Sequence, residues 1–522
     1  MQALDTKIPR SMRPARVVGK GTAAHPEKVQ SGNARHRVAL VDLNNFATFP
    51  TLAIGLLVAS LRQVGHRVEV ISPLAHDVPG AMRERRETIK DHWRRRLGLS
   101  TWRPFHSVQE LLRAGIRWRE SRPHPVVLRE VSRVLDSTPD VLLLSAYLQH
   151  HASVAAIGKM AEERGVPVLL GGPMFNVRGV ADTWRSMPGI TAVFGGEADL
   201  TLPSLIEDVV AKRDLLGHAG VTLPDGRTTG AAPPFRPLDA SPLPDFTDFP
   251  WDRYPNRIIP VMSGRGCQWN RCVFCSDVVS ANGRTFRTRS VESILTEMRE
   301  QSRRHASNKF LFLDLKLNSN PNMIRGIANG LQSFVPGAEW VGTVHVDGRK
   351  DNGLSRADLK AAVASGMRRV SFGLESGSQR LLDAMDKGST VEGNSRFIHD
   401  AFEAGLSIRC TMFCGFPGET KDDLHETAEF LEQHERQLDR VRLNGFAIIE
   451  DTPIYDALAA RAEAFPDMTM RRWDRREGRA FGHLAHGGHA GYRAAKKRVL
   501  DVVHRINRKE IKRVARAFDG LM

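Results

Sequence analysis

IIPVMSGRGCQWNRCVFCSD, residues 258–277, is the stretch on which the fold turns. Five mostly aliphatic residues give way to a glycine-bearing loop with three cysteines, Cys267, Cys272 and Cys275, spaced C-x4-C-x2-C. A strand that ends in a loop of ligand-type residues is the opening unit of a βα repeat, in which the reactive groups gather at the carboxyl ends of the strands. The residues that follow continue that pattern. KFLFLDLKL (309–317), AEWVGTVHV (338–346), RVSFGLES (369–376), SIRCTMFCGFPGE (407–419) and RVRLNGFAII (440–449) read as strands. VESILTEMREQSR, RADLKAAVASG, SQRLLDAMDKG and FIHDAFEAGL read as helices between them. Six repeats over 259–455 exceed half of a doubly wound sheet and fall short of the eight of a closed barrel, so a partial (β/α)6 barrel of the TIM type is expected.

Upstream the alternation has a different origin. RHRVALVDLNN, FPTLAIGLLVASLRQVG and HRVEVISPL give strand, helix and strand, which implies parallel pairing. After a basic, Trp-containing helical insertion at about 80–130, the series resumes through PDVLLLSAY, SVAAIGKMAEERG, VPVLLGGP, ITAVFGGEAD and LTLPSLIEDVVAK. Nearly continuous aliphatic strands are those of a sheet covered on both faces. The 36–215 segment therefore reads as α/β, a doubly wound flavodoxin-like domain whose ligand crevice lies at the carboxyl ends of its strands. Those ends carry Asn44, Asn45, Ser145, Ala146, Tyr147, Gly171, Gly172, Gly196 and Glu197. Residues 1–35 read as a disordered basic tail and 216–258, dense in Pro and Asp, as an interdomain linker. Residues 456–522 read as a helical, basic C-terminal cap.

The composition, 41% hydrophobic and 26% charged over 522 residues, is that of a soluble globular protein of two or three domains. No apolar run reaches the length of a membrane span, and the first thirty or so residues lack the apolar segment of a secretory signal. Five cysteines, mostly in one cluster, do not make a disulfide framework, so a reducing cytoplasmic setting is expected. The net charge of +16 is mostly arginine and spread out, which reads as a solvated basic surface. It gives mild preference to an anionic or peptide substrate and no clear case for nucleic acid.

Three thiols in one loop admit zinc, completed by a remote histidine, or an iron–sulfur cluster. Zinc sites favour small loop-rich modules, whereas this loop follows a barrel strand. A four-iron cluster held by three thiolates leaves one iron open to a substrate or cofactor. Elsewhere, Cys410 and Cys414 lie at i and i+4 on one strand and read as small buried hydrophobes. His483, His486 and His489 read as part of a Gly-rich surface loop.

The barrel resembles the radical S-adenosylmethionine (SAM) superfamily. The resemblance rests on the three-cysteine loop with Phe274 before its last cysteine, followed in order by FLFLDLKLNSNP, RRVSFGLESGSQRLLDAMDKG and CTMFCGFPGETKDDLHET. It implies that Cys267, Cys272 and Cys275 ligate a [4Fe-4S] cluster whose fourth iron is chelated by SAM. It also implies that Phe274 lies against the adenine, that Glu375 and Ser376 sit by the methionyl and ribose groups, and that Gly415, Phe416, Pro417, Gly418 and Glu419 line the adenine pocket. Asp314 is a weaker candidate for the SAM site. Glu375 and Glu419 have a plainer reading as caps of helix N-termini. The usual family spacing is C-x3-C-x2-C, so one residue is added here between the first two cysteines.

In front of such a barrel, the 36–215 domain resembles the cobalamin-binding domain of cobalamin-dependent radical SAM enzymes. The carrying segments are VALVDLNN, SLRQVGHRVEVI, PDVLLLSAY, ERGVPVLLGGP and VFGGEAD. The D-x-H-x-x-G signature that supplies a lower axial histidine in other cobalamin proteins is replaced by DLNNFA. His150 and His151 sit near the third strand end, where a surface or supporting role is the expectation. The resemblance implies a methyltransferase acting on an unactivated carbon or phosphorus centre, in natural-product biosynthesis, with flavodoxin or ferredoxin as electron donor. The alternatives are a non-methylating enzyme performing oxidative cyclisation or ring rearrangement, and a cobalamin or iron–sulfur sensor. Methylthiolation of RNA is disfavoured, since the N-terminal half has no cysteine and the tail reads as helical.

Overall fold

The aliphatic runs of the N-terminal region assemble as their pattern requires. In the computed structural model, which describes residues 35–43, 48–78, 86–120, 122–275, 286–449, 452–460, 468–470, 479–480, 482–484 and 490–521, they form one sheet. Its strands are β1 (Arg37–Asp42), β2 (Arg67–Ile71), β3 (Val141–Ser145), β4 (Val168–Gly171), β5 (Ile190–Phe194) and β6 (Val221–Thr222), in the order β2-β1-β3-β4-β5-β6. The first four pairings are parallel, and β6 closes the edge antiparallel to β5. Alternate residues of β1 face opposite layers. Val38 and Leu40 pack with α1 (Leu52–Gln63) and α7 (Leu202–Val210), whereas Ala39 and Val41 pack with α4 (Pro125–Leu135), α5 (His151–Glu162) and α6 (Arg178–Trp184). Helices α2 (Ile89–Gly98) and α3 (Arg103–Glu120) form the insertion.

The second sheet is β7 (Ile259–Val261), β10 (Lys309–Phe312), β11 (Glu339–Val344), β12 (Met367–Glu375), β13 (Ser407–Cys414) and β14 (Arg440–Gly445), all parallel and in chain order. A two-stranded ribbon, β8 (Gly264–Arg265) with β9 (Arg287–Thr288), flanks the cysteine loop. Helices α8 (Val291–His305), α9 (Pro321–Phe334), α10 (Arg356–Ala364), α11 (Gln379–Ala384), α12 (Val391–Glu403) and α13 (Lys421–Gln433) lie between the strands. Among the described residues β14 and β7 do not pair, so the barrel is an open arc of six strands.

Phe310, Phe312, Trp340 and Phe372 pack in the main core, while Leu311 and Val341, on the other face of the same strands, meet Phe518 and Leu521. The C-terminal residues thus plug the barrel from the amino-terminal ends of its strands. The Arg369 guanidinium anchors the plug by donating to the carbonyls of Phe518 (2.8 Å) and Leu521 (3.2 Å). The free edge of β14 is capped by Asn507, which accepts from the Val441 amide at 2.7 Å and donates to its carbonyl at 2.8 Å. This region holds α14 (Pro453–Ala460) and α15 (Ala490–Asn507). It also contains two short antiparallel pairs, β15 (Ile448–Ile449) with β17 (Arg479–Ala480) and β16 (Met468–Met470) with β18 (Gly482–Leu484). The segment between the sheets is a packed strap: Phe246 fills the space above Gly55 of α1, where a Cβ would come within 2.3 Å of its ring. Among the described residues no helix is long and apolar enough to cross a membrane. Asn44, Asn45, His486, His489 and the tail through residue 34 lie outside the described residues.

Candidate active site at the open strand ends

The cysteine loop is fixed at both ends. Where β7 stops, Ser263 donates to Asp314 through its amide (3.0 Å) and its hydroxyl (2.6 Å). Asp314 is fully buried, and burial raises its pKa to about 6 despite those bonds. Its place is under the loop, as the anchor of the turn that leads into the cysteines. At the far end the Val273 amide donates to Met385 and Arg271 pairs with Asp386 at 3.0 Å.

The added residue between the first two cysteines now has a structural account. Asn270 takes a left-handed conformation (φ 53°), and the turn it makes lays Trp269 flat on Gly388, where any Cβ would come within 2.1 Å of the indole. The indole nitrogen donates to the Asp386 carbonyl at 2.7 Å, and the ring stacks on His345. The longer loop therefore accommodates a tryptophan wedge that ties it to the 385–388 turn.

Buried charge surrounds the thiols. Lys387 is buried and its Nζ donates to Glu375 at 2.8 Å. Burial alone would pull its pKa down, but Glu375 and the thiols of Cys272 and Cys275 outweigh that and raise it. Burial drives Cys272 up to about 11, against the opposing pull of Lys387, with Cys267 near enough to add to the rise. A second ammonium, Lys316, bonds Asp347 at 2.7 Å and feels Cys267. Bonds from Arg349 and Lys316 outweigh burial and hold Asp347 at about 2, whereas burial keeps His345 neutral. Three thiols coupled to one another or to two buried ammonium groups suit a three-thiolate iron–sulfur site, because metal binding deprotonates the thiols and the lysines stabilise the charge that results.

The expected SAM residues converge beside this loop. Glu375 has φ 60°, a left-handed backbone uncommon outside glycine, at an irregularity in the β12–β13 register. That irregularity turns its carboxylate onto Lys387. Glu375 caps no helix, since Ser378 precedes α11. Ser376 is buried, its hydroxyl 3.1 Å from that of Thr427. Phe274 meets Phe413 edge-on at 5.0 Å and packs with Phe416 and Phe446, which brings it to the 415–419 loop. Gly415 and Gly418 have φ of 90° and 79°, so the loop needs both glycines.

Glu419 has a different role from capping. Thr420 and Asp423 form the capping box of α13. Glu419 instead accepts from the Gly415 amide at 2.8 Å and from the Tyr492 hydroxyl at 2.6 Å, closing its own loop onto α15. Burial lifts its pKa to about 7, against those bonds and the nearby Lys496. Cys410 and Cys414 are both buried, as read. Sequence reading missed Lys387, Lys316, Trp269, Tyr492 and Lys496. They lie on turns or on the distant C-terminal helix, and the fold alone brings them together.

At the ends of β3 and β4 the chain turns to small or neutral residues. The Gly172 backbone (φ 147°) runs so close to β3 that a Cβ would sit 2.1 Å from the Ala146 carbonyl oxygen, whereas a Cβ on Gly171 meets nothing nearer than 3.8 Å. The backbone approach itself requires Gly172, whereas the open Cβ side of Gly171 leaves room for a broad ligand such as a corrin. Ser145 and Tyr147 flank it, and the Tyr147 amide donates to His150 Nδ1 at 3.0 Å. Burial pushes His150 down to about 4, so it is neutral, and His151 meets the buried Trp184 edge-on. Gly196 (φ 143°) abuts Ala232. Glu197 does not offer its carboxylate to the crevice: Arg287 holds both oxygens at 2.7 Å and Arg265 approaches at 3.3 Å. With Asp199, which Arg265 grips at 2.6 and 3.0 Å, it locks the N-terminal sheet to the ribbon beside the cysteine loop.

Comparison with known proteins agrees with this geometry. Residues 261–431 match the model of the radical SAM superfamily. An uncharacterized methyltransferase of Pyrococcus horikoshii is 29% identical over 301 residues, covering 56% of this chain and 64% of the relative. The anaerobic magnesium-protoporphyrin IX monomethyl ester cyclase of Rubrivivax gelatinosus is 26% identical, covering 47% of this chain and 45% of the cyclase. The chain thus spans less than two thirds of each of these relatives. Among solved structures, the cobalamin-dependent SAM radical enzyme OxsB, with aqua-cobalamin and SAM bound, superposes with a TM-score of 0.63 at 16% identity (88% of this chain, 66% of that one). The radical SAM methyltransferase TsrM from Kitasatospora setae, with cobalamin and a [4Fe-4S] cluster bound, gives 0.60 at 16% identity, covering 90% and 91%. At such identity the likeness is one of fold, and it spans both sheets.

Proposed function

We propose, from the premise that residues 261–431 form a radical SAM domain, that the chain is a cobalamin-dependent radical SAM methyltransferase acting on an unactivated carbon or phosphorus centre. The observation that carries this reading is the lock formed by Glu197 and Asp199 with Arg265 and Arg287. It fastens the strand ends of the N-terminal sheet directly to the cysteine loop, so two cofactor surfaces share one space. When bound, the cluster with SAM supplies a 5′-deoxyadenosyl radical and cobalamin supplies a transferable methyl group, chemistry that no side chain offers.

The residues of the chain divide the remaining work. Cys267, Cys272 and Cys275 hold the cluster, and Lys316 and Lys387 temper its charge. Glu375, turned inward by its backbone, is placed to meet the SAM amino group, and the 415–419 loop with Phe274 receives the adenine. Gly171 and Gly172, with Ser145, Ala146 and Tyr147, give the corrin a flat neutral bed. His150, neutral and engaged with the Tyr147 amide, supports that bed. The plug closes the barrel at the opposite, amino-terminal ends of its strands, so water can reach the site only from the carboxyl-end side.

The test is anaerobic reconstitution with iron, sulfide, hydroxocobalamin and SAM, followed by reduction and product analysis with candidate substrates. S-adenosylhomocysteine formed together with 5′-deoxyadenosine supports methyl transfer. 5′-Deoxyadenosine alone, with a product lacking an added methyl, favours the second reading, an oxidative cyclisation, which the similarity to the protoporphyrin ester cyclase supports. Absence of both products would remove the enzymatic reading and leave a cofactor sensor.

A further inference from the structure

Away from the open strand ends, the insertion and the C-terminal helix meet in a cluster of metal-ligating type. Glu87, just before α2, His92 on α2 and His504 on α15 each bring a ligand atom to a point where all three lie within 4.8 Å of one another. His504 Nδ1 is 3.3 Å from Glu87 Oε1. Zinc bonds of 2.0–2.1 Å in a tetrahedral site put adjacent ligands about 3.3 Å apart, so this pair already has the required spacing.

Two features distinguish the cluster from an ordinary polar contact. His92 is about nine-tenths buried, and its Nδ1 has no hydrogen-bond partner. Behind the same ring, Asp501 Oδ1 stands 3.3 Å from Nε2, which favours the tautomer with its proton on Nε2 and its lone pair on Nδ1. A carboxylate behind an imidazole is how metal-binding histidines are oriented. The second carboxylate oxygen of Glu87 is occupied by Arg95 (2.7 Å) and Asn507 (3.0 Å), which fixes Oε1 toward the histidines. The two rings stack with centroids 4.4 Å apart, so one of them turns out of the stack when both lone pairs meet one ion.

We propose that Glu87, His92 and His504 form a zinc clip, with one position left for water, that staples the insertion to the C-terminal helix. Asn507 links this clip to β14, whose outer edge it also caps, so the metal would stiffen the β14 edge of the open arc. The site is independent of the iron–sulfur loop and of the reaction proposed above.

The experiment uses the full chain with its cluster reconstituted, loaded with zinc and passed over a desalting column, with zinc and iron counted together. About one zinc per chain is expected in the wild type. Glu87→Gln and His504→Ala should lose it while the iron content stays unchanged. Asp501→Asn should weaken zinc binding by about tenfold. Glu87→Gln is nearly isosteric and keeps an oxygen for Arg95, so it serves if His504→Ala folds poorly. Cobalt(II) in the same site should give the visible bands of a four-coordinate ion. Less than a tenth of an equivalent of zinc in the loaded wild type would overturn the proposal. Zinc retained equally in all three variants would do the same, since it would then sit elsewhere.

Discussion

Both sheets of this molecule present their carboxyl strand ends to the same space, yet they furnish them in opposite ways. The ends of β3 and β4 carry Ser145, Ala146, Tyr147, Gly171 and Gly172, small or neutral groups, while Glu197 and Asp199 after β5 are turned onto Arg265 and Arg287. Around the barrel the strand ends carry Asp314, Lys316, Asp347, Glu375, Lys387 and Glu419, all buried and ionisable. Topology makes the carboxyl ends of such strands the place where ligands gather in both kinds of sheet. Charge explains the difference. A site for thiolates and a zwitterion must keep paired charge in a poorly solvated space, whereas a large neutral cofactor needs room and flatness.

The comparison breaks most completely at the cysteines. Cys272→Ala should abolish cluster binding, read as iron and sulfide falling to background, and with it all 5′-deoxyadenosine formation. Cobalamin uptake, followed by its visible spectrum, should persist, because the neutral bed does not depend on the thiols. Full iron retention in Cys272→Ala would remove the cluster assignment. Next in size is the buried pair. Lys387→Met leaves Glu375 charged and unpartnered, which should cost about 3–5 kcal/mol in denaturant unfolding. The double variant Lys387→Met/Glu375→Gln should recover most of that stability and none of the SAM affinity. Recovery of both would reduce the pair to a structural role.

Glu419 sharpens the comparison through pH. Its folded pKa of about 7 lies above the usual 4.5, so between those values the folded state binds more protons than the unfolded one. Stability from this group is then greatest below pH 4.5, declines as pH rises through the window, and stays reduced above 7. Glu419→Gln keeps an oxygen for Gly415 and Tyr492 but cannot ionise. Its melting temperature relative to wild type should therefore be higher at pH 8 than at pH 5, by an amount corresponding to roughly 3 kcal/mol at most. Parallel pH profiles for the two proteins would mean that the carboxyl group does not titrate in this range.

Both sheets were legible in the sequence because aliphatic period and βα alternation are local signals. The nine-residue cysteine spacing fixed the loop, and GLESGS and GFPGE marked the strand ends that the barrel brings beside it. What escaped is non-local. Glu197 looked like a crevice residue until the ribbon placed Arg265 and Arg287 on it. Glu419, expected in the adenine pocket with a helix cap as its plainer reading, is met by Tyr492 from more than seventy residues away. Nothing in the spacing of DAMDKG marks Lys387 as the partner of Glu375. The segment dense in proline and aspartate read as a linker because such composition lacks period, yet Phe246 and Phe249 are buried in the core. The two short antiparallel pairs in the C-terminal region are of two or three residues per strand, too short for alternation to register.

Neighbouring glycines of the N-terminal sheet give the finest test, because the fold constrains one and not the other. At Gly172 a methyl group would strike the Ala146 carbonyl, and the φ of 147° is itself unfavourable for any other residue. Gly172→Ala should destabilise the domain by about 1–3 kcal/mol, with or without cofactor. At Gly171 a Cβ meets only the Phe194 carbonyl at ordinary contact distance, so the chain has no packing reason to avoid alanine there. Gly171→Ala should leave the melting temperature of the cofactor-free protein unchanged. If the corrin lies against this backbone, the added methyl should still weaken cobalamin binding by about tenfold, equivalent to about 1.4 kcal/mol. Equal cobalamin affinity in Gly171→Ala and wild type would mean that this strand end is not the bed. The crevice would then have to be sought nearer Ser145 and Tyr147.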